Sequence, residues 1–558
     1  MKNKHYLIWN ALVLLVFFSQ CLFAINTPVS EQKILQQQLQ NSEDNRLMFG
    51  QSEIAVLDMV KNIYQYNNYQ LLWHKQSMID ILLKAIDESD QLGLVPEDYH
   101  CDDLNSRFKN RDLKKGLQQA EVEQAQLDII LTDALLRLAY HMNFGKVVPG
   151  TLDPDWNLRR EFLTRDPVAR LNYAMSSEKK LSKFLGQSNG YGVLYEGLIN
   201  ALAQYRQIQQ DGGWNEIPSG VVLKPGIQDS RVPLIKARLQ VTGDLKKNTI
   251  EATEDHYSER VEAGVKAFQY RHNLEVDGVI GKGTLAQMNV PVEARIEQIR
   301  SNLERIRWVK RNLGDEFVLV NIAGFKVYYV QDNKVVWQSR AQVGKDYRKT
   351  PVFRDDISYL VFNPTWTVPP TILSKDILPA LKKDPGYLQK KNMNVVDLKG
   401  KVIDASNIDW STMSAKNFPY MIRQEPGPSN ALGRVKIMFP NKHQVYLHDT
   451  PSKNKFKRAE RAFSSGCIRI ETPFELVELL LKDSDKWNQN SFDEILATGK
   501  LKNVKLPEKV PVLLLYFTAQ IDENGRVIFY KDIYNRDDKI IKGLKEPFQL
   551  VIPDQRQG

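Results

Sequence analysis

The sequence predicts a multidomain α+β chain: an all-α scaffold, a small helical domain, and a mainly-β domain carrying an inserted lid. Three observations predict it. Apolar residues recur at spacings of 3 and 4 up to about residue 215, glycine turns break short helices after Pro225, and β-branched and aromatic runs dominate beyond residue 317. A chain of 558 residues has room for about three domains.

The elements follow in order. Lys2 and Lys4 precede an apolar run from Leu7 to Ala24, so residues 1–24 read as an export signal, either cleaved after Ala24 or kept as a membrane anchor. Residues 25–52 are polar and Gln-rich and read as a flexible tether. Residues 53–225 read as the helical scaffold: in "LDIILTDALLRLAYHM", Ile129, Leu131, Leu135, Leu136, Leu138 and Tyr140 mostly keep helical spacing. Turn signals punctuate it at "GLVPEDYH" and "GKVVPGTLDPDW". Residues 226–292 form the small helical domain, with turns at Asp277-Gly278 and Gly281. Over 293–316, Ile296, Ile299, Leu303, Ile306, Val309 and Leu313 trace one stripe on a helix that stops at Gly314 and returns to the scaffold.

Residues 317–545 are the mainly-β domain. "FVLVNIAGFKVYYVQDNKVVWQSRAQVG" holds three strands with turns at Ala323-Gly324 and Asp332-Asn333. A proline-rich polar stretch over 363–434, with a helix at "SKDILPALKKD", reads as an inserted capping loop, since so long a connection is usually functional. Strands resume at "GRVKIMFPNKHQVYLHDT" and "KVPVLLLYFTAQIDENGRVIFYKDIY". Thr472, Pro473 and Glu475 read as N-cap, first residue and capping-box partner of one helix. Residues 546–558 are a tail.

The net charge of +9 falls to +7 without Lys2 and Lys4, mild for this length, and no basic and aromatic stripe argues for nucleic acid. After removal of the leader only Cys101 and Cys467 remain, too few for a disulfide framework in an oxidising compartment. Cys101 looks incidental. Cys467, in "SSGCIRIETP", does not.

A nucleophilic thiol needs a base, and His448 ends a strand 19 residues earlier. Gly466 keeps the approach to sulfur open, and backbone N–H groups around Gly466 and Cys467 suit an oxyanion, with Ser465 in support. Arg469, two residues past Cys467, and Tyr446, two before His448, fall on the same faces of their strands and suit substrate binding. Trp366, in "NPTWTVPP", reads as a lid residue near substrate. Inert packing is the usual fate of a lone cysteine, but this combination reverses the odds. A zinc site from His443, His448 and Cys467 is disfavoured, because residues five apart on a strand face opposite sides. The basic spacer (Lys453, Lys455, Lys457, Arg458, Arg461) reads as a solvated loop.

Two resemblances add to this. Phe268-Gln269, Leu274, Asp277-Gly278, Gly281 and Thr284-Leu285 resemble the hallmark of peptidoglycan-binding repeat modules. "HDTPSKNKFKRAERAFSSGCIRI" resembles the active-site signature of YkuD-type L,D-transpeptidases, and the domain order resembles the large Gram-negative murein enzymes. The resemblance implies Cys467 as nucleophile, His448 as general base and Gly466 and Arg469 as its neighbours. It also implies a backbone carbonyl rather than a triad acid to orient the histidine. Many members carry His where this chain has Ser465, so no role passes to a second histidine. The implied activity is cleavage of the diamino acid–D-Ala bond of a tetrapeptide stem through a thioester, then 3→3 cross-linking, with acylation by carbapenems expected. No metal or organic cofactor is implied. Partners would be peptidoglycan stems and other cell-wall synthesis proteins, and the location the periplasm. Water or a protein lysine as acceptor would make it a carboxypeptidase or an anchoring enzyme, and a silent site would leave a wall-binding scaffold.

Overall fold

The computed structural model describes residues 31–42, 46–109, 117–158, 167–185, 192–246, 255–309, 313–384 and 386–548. The leader and most of the tail therefore lie outside the described residues. The chain divides into two compact units, residues 1–146 with 160–190 and 544–558, and residues 147–159 with 191–543.

In the first unit the Gln-rich segment is helical where it is described. Helix α1 (Glu31–Gln40) buries Ile34, Leu35 and Leu39 against α2 (Leu117–Phe144). The tether expectation is corrected there: three apolar residues on one side suffice to dock a short polar helix. Helix α2 is central to this unit, and its apolar residues from Ile129 to Tyr140 are buried as their spacing requires. Its buried carboxylates bind surrounding segments. Asp128 accepts from Tyr64 Oη (2.5 Å) and the amide of Trp73 (2.9 Å), and Asp133 accepts from the amide of Val56 (3.1 Å) and bonds His100 (2.8 Å). Such pairing is the condition for burying charge.

The second unit opens with α3 (Gly192–Gln210), followed by the small domain of α4 (Val232–Val241), α5 (Glu259–Arg271) and α6 (Lys282–Met288). Its core includes Val232, Ile235, Leu239, Val265 and Phe268. Gln269 explains the residues around it. Its amide nitrogen donates to Asp277 Oδ1 (2.9 Å) and the Val279 carbonyl (3.0 Å), while its oxygen accepts from Gly278 N (2.9 Å). Gly278 sits at φ +72°, a conformation glycine adopts without cost. Helix α7 (Val292–Val309) then packs along α3. Its stripe from Ile296 to Val309 is buried, whereas Leu313 lies past the helix end and is exposed.

Three strands follow as the sequence predicts: β1 (Glu316–Asn321), β2 (Lys326–Gln331) and β3 (Lys334–Gly344). The β2–β3 turn has both Asp332 (φ +50°) and Asn333 (φ +60°) left-handed, matching the twist of the hairpin. Strands β4 (Phe353–Phe362), β5 (Val435–Met438), β6 (Leu447–His448), β7 (Ala462–Ser464), β8 (Ile468–Ile470) and β9 (Lys502–Leu515) complete a sheet of order β7-β3-β8-β6-β5-β4-β9-β1-β2. Pairing of β2 with β3 closes it into a ring. Strands β10 (Ala519–Ile521) and β11 (Val527–Phe529) form a separate hairpin.

Residues 363–434 are not a loop. They hold their own four-stranded sheet, with Trp366–Thr367, Met421–Gln424, Met393–Val396 and Val402–Ile403 in that order, and their own core of Leu373, Ile377, Leu381, Val395 and Ile422. The helix read at "SKDILPALKKD" is present, within an unbroken helical run over 370–383, whereas the strands are two to four residues long, too short to leave a legible period. Helix α8 (Pro473–Leu481) does begin at Pro473, but its capping box is absent. Thr472 Oγ1 lies 3.2 Å from Ser339 Oγ, and Glu475 accepts from Trp337 Nε1 (2.7 Å). Tertiary partners on β3 have replaced the local cap.

Candidate active site

Cys467 stands just before β8, and β8 pairs in parallel with β6, Leu447 opposite Ile468 and His448 opposite Arg469. On the far sides, Lys436 of β5 pairs with His448 and Gln342 of β3 with Arg469. Gln342, Arg469, His448 and Lys436 thus form one cross-strand row, and directly paired side chains share a face. Tyr446 and Cys467 stand just before β6 and β8, and the Tyr446 side chain reaches the Cys467 sulfur. The Tyr446 and His448 rings meet edge-on at 5.6 Å, and Lys436 Nζ stands 4.0 Å over the Tyr446 ring. Arg469 Nη1 reaches Gln342 Oε1 at 3.4 Å.

The turn carrying the thiol is clamped from several directions. Ser464 Oγ donates to the Cys467 carbonyl (2.6 Å) and accepts from Gly466 N (3.1 Å). Thr350 Oγ1 donates to the Gly466 carbonyl (2.8 Å), and Arg348 Nη1 donates to Ser465 Oγ (2.8 Å). Gly466 holds φ +121°, a region open to glycine and costly for other residues. The expected oxyanion role of the Gly466 amide is corrected, because Ser464 Oγ already takes that N–H. The amide of Cys467 is the remaining donor of that pair.

His448 is buried, and its Nδ1 lies 2.5 Å from the Asp449 carbonyl. A carbonyl only accepts, so Nδ1 carries the proton and Nε2 keeps its lone pair. The Asp449 carboxylate is occupied elsewhere, accepting from Arg434 N (2.9 Å) and pairing with Lys453 (2.7 Å). It is not a triad acid. Burial, then the Arg469 charge, pushes the His448 pKa down to about 3, so the imidazole is neutral at physiological pH. Burial also pushes the Cys467 thiol up, against the pull of Tyr446, Lys436 and Arg469. In this state the thiol donates to the Gln444 carbonyl (3.8 Å) rather than to the imidazole. A neutral thiol beside a neutral base is therefore the resting arrangement.

The structure brings together Cys467, His448, Tyr446, Arg469, Gly466 and Ser465. Trp366 is placed otherwise: it belongs to the insertion's sheet, opposite Gln424, and packs against that core. It is only partly buried there. In the basic spacer, Arg461 is not solvated but buried, donating to the carbonyls of Ala341 (3.2 Å) and Phe325 (3.2 Å). Sequence reading missed Lys436, Gln342, Thr350 and Arg348. Only Lys436, as a lysine amid the apolar run "VKIMF", offered a local signal. His443 lies 3.5 Å from Asp155, away from any metal set, and no group of metal-binding side chains occurs among the described residues.

The site thus sets the Cys467 thiol on a glycine turn beside a strand-borne neutral histidine fixed by a main-chain carbonyl. Residues 315–489 match the YkuD family, described as "L,D-transpeptidase catalytic domain", residues 228–288 a "Putative peptidoglycan binding domain", and residues 58–202 a "Scaffold domain". The chain carries a YkuD L,D-transpeptidase catalytic domain together with a peptidoglycan-binding domain. A protein of Haemophilus influenzae named "Putative L,D-transpeptidase" is 39% identical over 223 residues, covering 40% of this chain and 45% of the relative. The chain thus spans less than half of that relative's length. Among solved structures, "L,D-transpeptidase from Mycobacterium smegmatis" is 11% identical at TM-score 0.18, covering 36% of this chain and 58% of its own. "Structure of the Ldtfm-avibactam carbamoyl enzyme" is 13% identical at TM-score 0.18, covering 36% and 49%. At those TM-scores neither likeness carries an argument.

Proposed function

We propose that the protein is an exported, periplasmic murein L,D-transpeptidase that forms 3→3 cross-links. The observation that carries this reading is the β6–β8 pairing, which sets neutral His448 in the strand beside the Cys467 turn. His448 Nε2 takes the thiol proton as sulfur attacks the carbonyl between the stem's third-position diamino acid and D-Ala. The same proton then passes to the departing D-Ala amine, leaving a thioester. The side-chain amine of a second stem attacks the thioester, gives its proton to His448, and the thiolate leaves and is reprotonated. Arg469 and Lys436 supply positive charge for a stem carboxylate, and the Cys467 amide supplies an oxyanion donor. The folded insertion suits a cap that keeps water from the thioester. The same thiol would be acylated by carbapenems.

The test is incubation of the protein, and of Cys467→Ala and His448→Ala, with disaccharide-tetrapeptide, followed by mass spectrometry. A cross-linked dimer with released D-Ala, absent from both variants that still bind sacculi, is the expected result. Tripeptide alone would replace transpeptidation with carboxypeptidase activity. Unchanged tetrapeptide in every sample would sink the catalytic reading and leave a wall-binding scaffold.

A further inference from the structure

Asp449, the residue after the base, does more than lend its carbonyl. It is buried (4% exposed) just past the end of β6, and its side chain folds back onto the start of β5. Its amide donates to the Val435 carbonyl (3.0 Å) and its carboxylate accepts from the Arg434 amide (2.9 Å). Backbone and side chain of one residue are thus both held to the neighbouring strand. Gly433, at φ +64°, leaves the room for this, because a Cβ there would collide with the Asp449 side chain.

The other carboxylate oxygen meets Lys453 Nζ (2.7 Å), which also donates to the Glu471 carbonyl and stands 3.5 Å from the Ile470 carbonyl. Ile470 is the last residue of β8, the strand that Cys467 precedes. Lys453 therefore spans from the residue after His448 to the far end of the thiol's strand. It is half-exposed, and an ion pair of that kind adds little stability by itself. What it can add is direction. The Asp449 carbonyl lies 2.5 Å from His448 Nδ1, but the Leu432 carbonyl, next to Gly433, is also within hydrogen-bonding reach of the imidazole. A neutral imidazole has a single N–H, and its tautomer follows from the acceptor that this N–H finds. With two carbonyls in competition, the one held rigidly in place sets the tautomer.

We propose that Asp449 and Lys453 are positioning residues for the general base. The carboxylate, anchored between the Arg434 amide and Lys453, holds the Asp449 carbonyl on the Nδ1 proton of His448 and so keeps the Nε2 lone pair free for the thiol proton. Without that anchor the ring can turn its N–H to the Leu432 carbonyl instead. The inference rests on the proposed acyl transfer, in which Nε2 is the proton acceptor. It gives the acidic residue beside the base a role other than that of a triad acid: the carboxylate acts through its own main chain.

The test combines a rate with a tautomer. Asp449→Asn keeps the side-chain shape and an oxygen for the Arg434 amide but loses the charge that holds Lys453, and Lys453→Met removes the other partner. Carbapenem acylation of Cys467, followed by mass spectrometry, is expected to slow about tenfold or more in both variants, since a slightly misplaced reacting group is costly. Solid-state NMR of the full chain carrying isotope-labelled histidine reads the tautomer, with the His448 signals identified by their loss in His448→Gln. The unaltered chain is expected to hold the proton on Nδ1, and both variants to show a share on Nε2. An unchanged tautomer in both variants overturns the proposal, whether or not acylation slows. If the unaltered chain is not acylated at all, the catalytic reading fails, and the tautomer still decides whether Asp449 and Lys453 hold the ring. Should Asp449→Asn fail to fold, Lys453→Met, altered at a half-exposed residue, decides alone.

Discussion

Acidification should destabilise this protein through His448 by an amount the structure sets. The imidazole is buried neutral, with its folded-state pKa lowered from 6.5 to about 3. The unfolded chain therefore binds a proton at mildly acid pH that the folded chain refuses. Stability is fully present above pH 6.5 and is lost as pH falls below it, down to about 3. At pH 5 the difference from pH 8 is about 2 kcal/mol from this one residue, which corresponds to a Tm shift of about 4–8 °C. The assay is a thermal melt of the unaltered chain and of His448→Gln at both pH values. His272 is also held below its ordinary value but is common to both proteins and cancels. The unaltered chain is expected to lose the extra 4–8 °C. Equal losses would refute the buried neutral base, and with it the proton acceptor on which the proposed acylation depends. The kinetic counterpart is a carbapenem acylation rate with no acid limb between pH 8 and pH 5, whereas an ordinary histidine would halve it near 6.5.

Three further outcomes follow from the geometry. Gly466→Ala forces a side chain into φ +121°, so acylation measured by mass spectrometry should fall at least tenfold, with a stability cost of about 1–3 kcal/mol, although Cys467 and His448 are untouched. Arg348 joins Ser465 Oγ (2.8 Å) to Asp376 (3.1 Å), a residue of the insertion, so Arg348→Ala should raise the ratio of hydrolysed tripeptide to cross-linked dimer; an unchanged ratio would count against the cap. Gln269→Ala removes the three bonds that hold the Asp277-Gly278 turn and should cost about 1–3 kcal/mol, seen as a lower Tm, with carbapenem acylation of Cys467 unchanged.

The sequence by itself determined the elements whose information is local. Helical spacing marked α2 and α7, the Asp332-Asn333 pair marked a hairpin, and Cys467, Gly466 and His448 stood out because each is rare or conformationally special where it occurs. The sequence could not show what long-range pairing decides. Lys436 and Gln342 enter the site only because β5 and β3 flank β6 and β8, and nothing near either residue encodes that strand order. Thr472 lost its capping role to Ser339, 133 residues away, and Trp366 joins a sheet and core that residues 363–434 build for themselves. The charge state of the site was equally hidden. Histidine and cysteine carry the same formulae everywhere, but burial in this sheet makes the one a neutral base, with help from Arg469, and the other an un-ionised thiol, against the pull of Arg469. Desolvation depends on what surrounds a group in space, and only the folded chain fixes those surroundings.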